Sequence, residues 1–416
     1  MRKLQGCLLV LAGAIPLLIA VVAIRIWVTM PPTVEPDALP IQTQIDPSTN
    51  YALAVEEGRQ LARSLTSEEK LPGLSLAVSI GGELVWTEGV GWSNLDERSA
   101  MTPELMFRVG GITQTITAAA VGLLHDRGEL DLDAPIQQYV KAFPEKEWPV
   151  STRQLMTHSA GLAPHRGEGG LFQGRHCAND AERVSFFAEA PLRSEPGSEV
   201  SYSNYNWVLV GAAIAEITGE RYVDFVSREI FTPLGMESTV LDHTERYEEG
   251  SAYFHYPRLM LNPRYGFQDA PKIDLSCYEA SVGFLSTPSD LARFGAAMMH
   301  GSLVQEATLE ELRRPHAPSS DESSAQAAGW SVLSMPWGVD GLSVQLYGQG
   351  VGQQVRHGLL SATTFGGNVA GSTVSLLIVP EWDLAIAVAA NTSGAENVPI
   401  LAGRLAEIFI RRAQGR

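Results

Sequence analysis

Gly111 and Gln114 stand one helical turn apart in Phe107–Thr117, FRVGGITQTIT, where the chain passes a glycine pair and enters an apolar helix. A helix entered in this way aims backbone N–H groups at whatever lies before its first turn. Side chains three residues apart share a helix face, so a nucleophile and its base would act from this spacing. Glycine offers no side chain, and a primary amide is neither acid nor base at physiological pH. A literal Ser-x-x-Lys occurs at Ser67–Lys70, but it ends a charged helix just before Leu71-Pro72-Gly73 and reads as a solvated helix end. Thr113, Thr115, Ser203 and Ser281 carry hydroxyls without a base at suitable spacing, and His158 reads as a structural hydrogen-bonding residue. His165, His176 and Cys177 share a loop, but without HExxH or paired CxxC spacing no metal site is expected. Gly348, Gly350 and Gly352 neither follow a strand nor open a helix, so they are not a nucleotide fingerprint, and no cofactor is expected.

The elements that must position these residues follow from periodicity. Tyr51–Lys70 places Ala52, Leu53, Val55, Leu61 and Leu65 among charges and predicts a helix. Leu74, Leu76, Val78 and Ile80 alternate with small residues, Gly81-Gly82 turns the chain, and Glu83–Trp92 returns as the second strand of a hairpin. A second hairpin spans Ser372–Val379 and Leu384–Asn391 around Pro380–Asp383, and a last helix over Val398–Arg412 gathers Ile400, Leu401, Leu405, Ile408 and Phe409 on one face. Strands at both ends enclosing helices predict an α+β fold: one antiparallel sheet fed by both termini and flanked by helices, with a helical second lobe.

Five stretches in order extend this reading: Phe107–Val140, Ser151–Leu162, Pro196–Leu241, Val282–Met298 and Phe365–Gly371. Together they resemble the β-lactamase-related, penicillin-binding-protein-like superfamily of serine hydrolases, on the branch of class C β-lactamases, D-alanyl-D-alanine carboxypeptidases and esterases, over roughly Tyr51 to Arg412. The resemblance implies three catalytic elements. The first is a Ser-x-x-Lys, whose positions hold Gly111 and Gln114. The second is a Tyr-x-Asn, matched by Tyr202-Ser203-Asn204. The third is a basic or imidazole side chain before glycine on the strand edging the pocket; anchoring on Gly366, Gly367 and Gly371 places Phe365 there, or Thr364 if the register moves by one. A pocket lined by Gly111, Gln114, Tyr202, Asn204, Phe365, Gly366 and Gly367 follows. The expectation is a catalytically inactive relative that binds a peptide, a cell-wall-like ligand or a partner protein there, with Tyr202 kept and no catalytic residue left. Two alternatives stand beside it: an active esterase-, β-lactamase- or peptidase-type hydrolase with a non-standard nucleophile, and a structural membrane-tethered module.

Composition bounds the rest. The 416 residues are 45% hydrophobic and 19% charged, a globular balance, and a net charge of −17 excludes a nucleic-acid partner that needs a basic face. Arg2 and Lys3 precede the 18 uncharged residues Cys7–Ile24, about 27 Å as a helix, with Arg25 and Trp27 suited to the far interface. Residues 1–28 therefore read as an uncleaved transmembrane signal anchor with a periplasmic or extracellular domain beyond it. Residues 29–50, with five prolines, read as a linker, and 51–416 as the domain. Cys177 and Cys277 face an oxidising compartment in this reading, but two cysteines a hundred residues apart do not establish a bond, and none is expected from spacing.

Overall fold

A computed structural model describes residues 20–21, 33–45, 50–163, 175–242, 250–259, 262–299, 301–313, 338–339, 342–344, 353–357 and 360–415. Its centre is an antiparallel sheet. The strands are β1 (Ile41–Ile45), β2 (Gly73–Ile80), β3 (Glu83–Asn94), β4 (Gly338–Val339), β5 (Leu342–Val344), β6 (Gln353–His357), β7 (Leu360–Val369), β8 (Ser372–Val379) and β9 (Leu384–Ala390). They lie in the order β1-β3-β2-β9-β8-β7-β6-β5-β4, and the short strand Ser99–Ala100 pairs with β3. The two predicted hairpins meet where β9 pairs β2, with Ile386 opposite Val78, so both ends of the chain build the middle of one sheet.

Alternation of residue size sorts the two faces. Leu74, Leu76, Val78, Ile386 and Val388 pack with Trp86 beneath α1 (Ala52–Glu68) and the last helix, Val398–Ala413. The intervening Ala77, Ala385, Ala387 and Ala389 face the opposite way, into the larger core. Small residues there let the helix Pro288–Ala297 lie close: a Cβ on its Gly295 would stand 3.2 Å from the Ala385 Cβ. That larger core continues into the helical lobe, built on α2 (Ile112–Asp126), α3 (Asn204–Thr218) and the single turn α4 (Glu279–Val282).

Three expectations change here. Part of the stretch assigned to a linker is sheet: Ile41–Thr43 pair with Glu88–Val90 of β3, and Arg63 donates hydrogen bonds to the carbonyls of Pro36, Asp37 and Leu39. Prolines on either side, Pro40 and Pro47, hide the strand, whose register comes from its partner β3. Ser67 is not solvated either; it is buried, and its hydroxyl donates to the Val34 carbonyl at 2.6 Å. Cys177 and Cys277 are bonded, with Cα atoms 5.0 Å apart. The expected anchor, residues 1–28, lies outside the described residues except for 20–21; among the described residues no helix is long and apolar enough to cross a membrane.

Candidate functional site

The head of α2 is held from three sides. Gly110 adopts φ +51°, a left-handed conformation that glycine enters without steric cost, and Gly111 is the N-cap at φ −60°. Val109 donates its N–H to the Phe284 carbonyl at 3.0 Å. On the sheet side, β7 comes so near that a Cβ on Gly367 would lie 1.8 Å from the Val109 carbonyl oxygen, so only glycine fits there. Phe365 and Gly366 precede Gly367 on that strand, opposite Leu376 and Ser375 of β8. Arg108 fixes the junction from below. Its Nε donates to Asp242 at 2.7 Å, its Nη1 donates to the Ala370 carbonyl at 2.7 Å, and its guanidinium lies 4.6 Å from the centre of the Phe254 ring. Both members of the ion pair are buried, so removing one would strand the other charge.

Gln114 is the hub one turn into the helix. Fully buried, its Nε2 donates to the Tyr202 hydroxyl at 3.0 Å and to Ser281 Oγ at 3.3 Å, and lies 3.5 Å from Asn204 Oδ1. Tyr202 and Ser281 in turn donate to Asn204 Oδ1, at 2.8 and 2.9 Å. The hydroxyls thus give their protons to asparagine and take the glutamine's protons on their lone pairs, which closes the ring. Tyr202 and Asn204 reach it because they flank the start of α3, where the Ser203 hydroxyl accepts from the Tyr205 N–H and donates to the Ala163 carbonyl. Ser281 arrives on α4, wedged between α2 and α3: Thr117 donates to the Ala280 carbonyl at 2.7 Å, and a Cβ on Gly211 would stand 2.4 Å from the Ala280 Cβ.

Electrostatically the cluster is neutral. Burial pushes the Tyr202 phenol up to about 12, with the Gln114 donor pulling the other way, so the hydroxyl stays protonated near pH 7. The His158 ring lies tilted against the Tyr202 ring, centres 4.4 Å apart; its Nδ1 accepts the Ser203 N–H and sits 2.9 Å from Asn206 Nδ2, while Nε2 lies 3.3 Å from Trp207 Nε1. That is the structural part read for it from sequence. Gln114 Oε1, Thr113 Oγ1 and Thr115 Oγ1 are buried without a hydrogen-bond partner among the described residues. Such a group is costly to leave unpaired, at about 1–3 kcal/mol each. The cluster can donate, accept and orient; none of Gln114, Tyr202, Asn204 and Ser281 titrates near neutrality.

Of the residues expected from sequence, Gln114, Tyr202 and Asn204 meet directly, Gly111 heads the helix that carries Gln114, and Gly367 abuts the turn before it. Ser281 is the contributor that sequence reading left out, having weighed it only as a hydroxyl without a base. It lies 167 residues from Gln114, and no spacing connects them. His165, Gly348, Gly350 and Gly352 lie outside the described residues. His176 contacts Asp274 at 2.9 Å, and no group of three or more His, Cys, Asp or Glu side chains suited to a metal occurs among the described residues.

A sheet fed by both termini, a glycine-headed buried helix and a Tyr-x-Asn at the mouth of a second helix define the β-lactamase and penicillin-binding-protein-like fold of serine hydrolases. Residues 58–408 match the family described as Beta-lactamase, and the chain belongs to that family. It is 26% identical to the human serine beta-lactamase-like protein LACTB, mitochondrial, over 82% of this chain and 75% of that protein. Penicillin-binding protein 4* of Bacillus subtilis is 23% identical over 66% of this chain and 63% of its own length. Among solved structures, the octameric penicillin-binding protein homologue of Pyrococcus abyssi superposes with a TM-score of 0.67 at 24% identity, covering 86% of this chain and 77% of that one. The D-amino acid amidase of Ochrobactrum anthropi, complexed with L-phenylalanine amide, gives 0.65 at 22% identity, covering 86% and 99%.

Proposed function

We propose that this chain is a non-hydrolytic member of its family, which binds a peptide-like ligand or partner segment in the cleft at the head of α2 and acts by occupancy. The observation that carries the reading is the Gln114 ring: where a Ser-x-x-Lys would put nucleophile and base, Gly111 brings no atom that can attack, and Gln114 brings donors that cannot take a proton. General acid–base assistance is worth about 10²–10⁴-fold, and without a nucleophile the covalent route is closed altogether. What remains is recognition. Asn204 Oδ1 is saturated by Tyr202, Ser281 and Gln114, whereas Gln114 Oε1 is an unpartnered acceptor. The atom is buried, so a ligand's amide N–H meets it only where binding opens the ring; a carboxylate has no proton to give it. A phenylalanine stands at position 365, where the family pattern has a basic or imidazole residue, and a phenyl ring cannot pair with an anion.

An N-terminal membrane anchor at residues 1–28, with the domain outside the cytoplasm, completes the proposal. Basic residues before an apolar run long enough to span support it, as does a disulfide, which persists in oxidising compartments. The human relative is named as mitochondrial.

Thermal-shift titration of the protein with D-phenylalanine amide, D-phenylalanine and benzylpenicillin tests the binding claim. The amide is expected to stabilise the protein more than its acid, and Gly111→Trp, which fills the head of the cleft, is expected to abolish the shift. Equal shifts in the wild type and Gly111→Trp would count against use of this cleft.

A further inference from the structure

The turn that carries Ser281 cannot hold itself in place. α4 is four residues long, a single turn, and isolated turns of that length do not persist in water. Its inner side rests on Thr117 and Gly211. The outer side is held by a clasp from the segment Arg175–Ser185, far away in sequence. Cys177 is bonded to Cys277, four residues before Ser281, and the Cys177 N–H donates to Ser276 Oγ at 2.9 Å. Arg183 donates from Nε to the Ser276 carbonyl at 2.7 Å, bridges Asp180 at 2.7 Å through Nη1, and pairs with Glu279 at 2.5 Å through Nη2. The contacts to Ser276, Cys277 and Glu279 all fall within five residues of Ser281, the Asp180 bridge holds the Arg183 guanidinium in place, and the sulfurs belong to residues only 2% exposed.

We infer that the Cys177–Cys277 bond, with Arg183, is a positioning device for the cleft: it seats Ser281 against Asn204 and Gln114, so the binding network is complete only in the oxidised protein. The inference rests on the proposed binding role of that cleft. In the forming step the two thiols lose two protons and two electrons to a disulfide oxidant, which leaves as a dithiol. Burial then shields the bond, so it acts once, at maturation in an oxidising compartment, and not as a reversible switch. Before that step the chain can fold its sheet, while α4 is secured on one side only.

The test reads the native state of the full-length protein by alanine-methyl NMR in wild type and Cys177→Ser/Cys277→Ser. Ala280 reports on α4, and Ala54, Ala62, Ala402 and Ala406 report on the far face of the sheet. The expected result is a shifted or doubled Ala280 resonance with the far-face methyls unchanged, and at least about a 10-fold weaker affinity for D-phenylalanine amide. An Ala280 resonance that superposes on the wild type would overturn the inference. So would movement of the far-face methyls or failure of the variant to fold, because the bond would then be a staple for the whole domain. Arg183→Met, with the disulfide intact, should move Ala280 in the same direction by less, and an unmoved resonance there would remove Arg183 from the clasp. If wild type binds no amide, the binding proposal fails, while the Ala280 comparison still decides the positioning.

Discussion

Gln114 occupies its place by hydrogen-bond arithmetic. Its Nε2 has two protons and two hydroxyl lone pairs to meet, while Tyr202 and Ser281 turn their own protons to Asn204. A cationic donor could make the same contacts, and that is how a lysine position can become a glutamine without collapse of the ring. Nearby Glu279 carries a different signature. Burial raises its carboxyl from 4.5 to about 7, against the attraction of Arg183 and Arg221 and with Asp180 adding repulsion. Because the folded state holds this proton more tightly than the unfolded chain, the contribution to stability is full below pH 4.5 and declines as pH rises towards 7, above which it levels off. Glu279→Gln should therefore flatten the stability–pH curve between pH 4.5 and 7, removing the roughly 3 kcal/mol that wild type loses across that window. Urea denaturation at several pH values checks this, and parallel curves would contradict it. Gly111, Gln114, Tyr202 and Asn204 were legible because each sits in a local motif. Ser281 and Glu279 were not, since their meaning comes from partners brought in by the fold.

At the scale of elements, two glycines set the approach of β7 to α2. Gly110 turns the chain at positive φ, and Gly367 leaves room for the Val109 carbonyl. Gly367→Ala would need a backbone displacement at the helix head, which side-chain repacking cannot supply. The expected cost is about 3 kcal/mol or more, seen as a lowered unfolding midpoint and a loss of amide binding together. A variant with unchanged stability would show that β7 and α2 can separate freely. The helices and both hairpins could be read from alternation and from the size difference between Leu76 or Ile386 and Ala77 or Ala385, which marks two faces of different depth. β1 escaped that reading. Ile41–Ile45 is an edge strand after a proline-rich stretch, and its conformation is imposed by β3 and by the backbone contacts of Arg63.

The whole molecule is organised by long-range closures that single-sequence reading does not reach. β2 near one end pairs β9 near the other, Arg108 meets Asp242 across 134 residues, and Cys177 meets Cys277 across 100. The first closes the middle of the sheet, the second holds the chain just before the head of α2, and the third holds the turn bearing Ser281. The scaffold of a serine hydrolase is thus present around a cluster with neither nucleophile nor base at positions 111 and 114, and the proposed function holds that this scaffold no longer acylates. Intact-mass measurement of the protein after incubation with benzylpenicillin and with an activated ester tests that claim most directly, with the Gly111→Ser/Gln114→Lys double variant beside it. The account predicts an unmodified mass for the wild type and a stoichiometric acyl adduct on the variant. A stoichiometric adduct on the wild type would contradict it, and peptide mapping would then name the nucleophile.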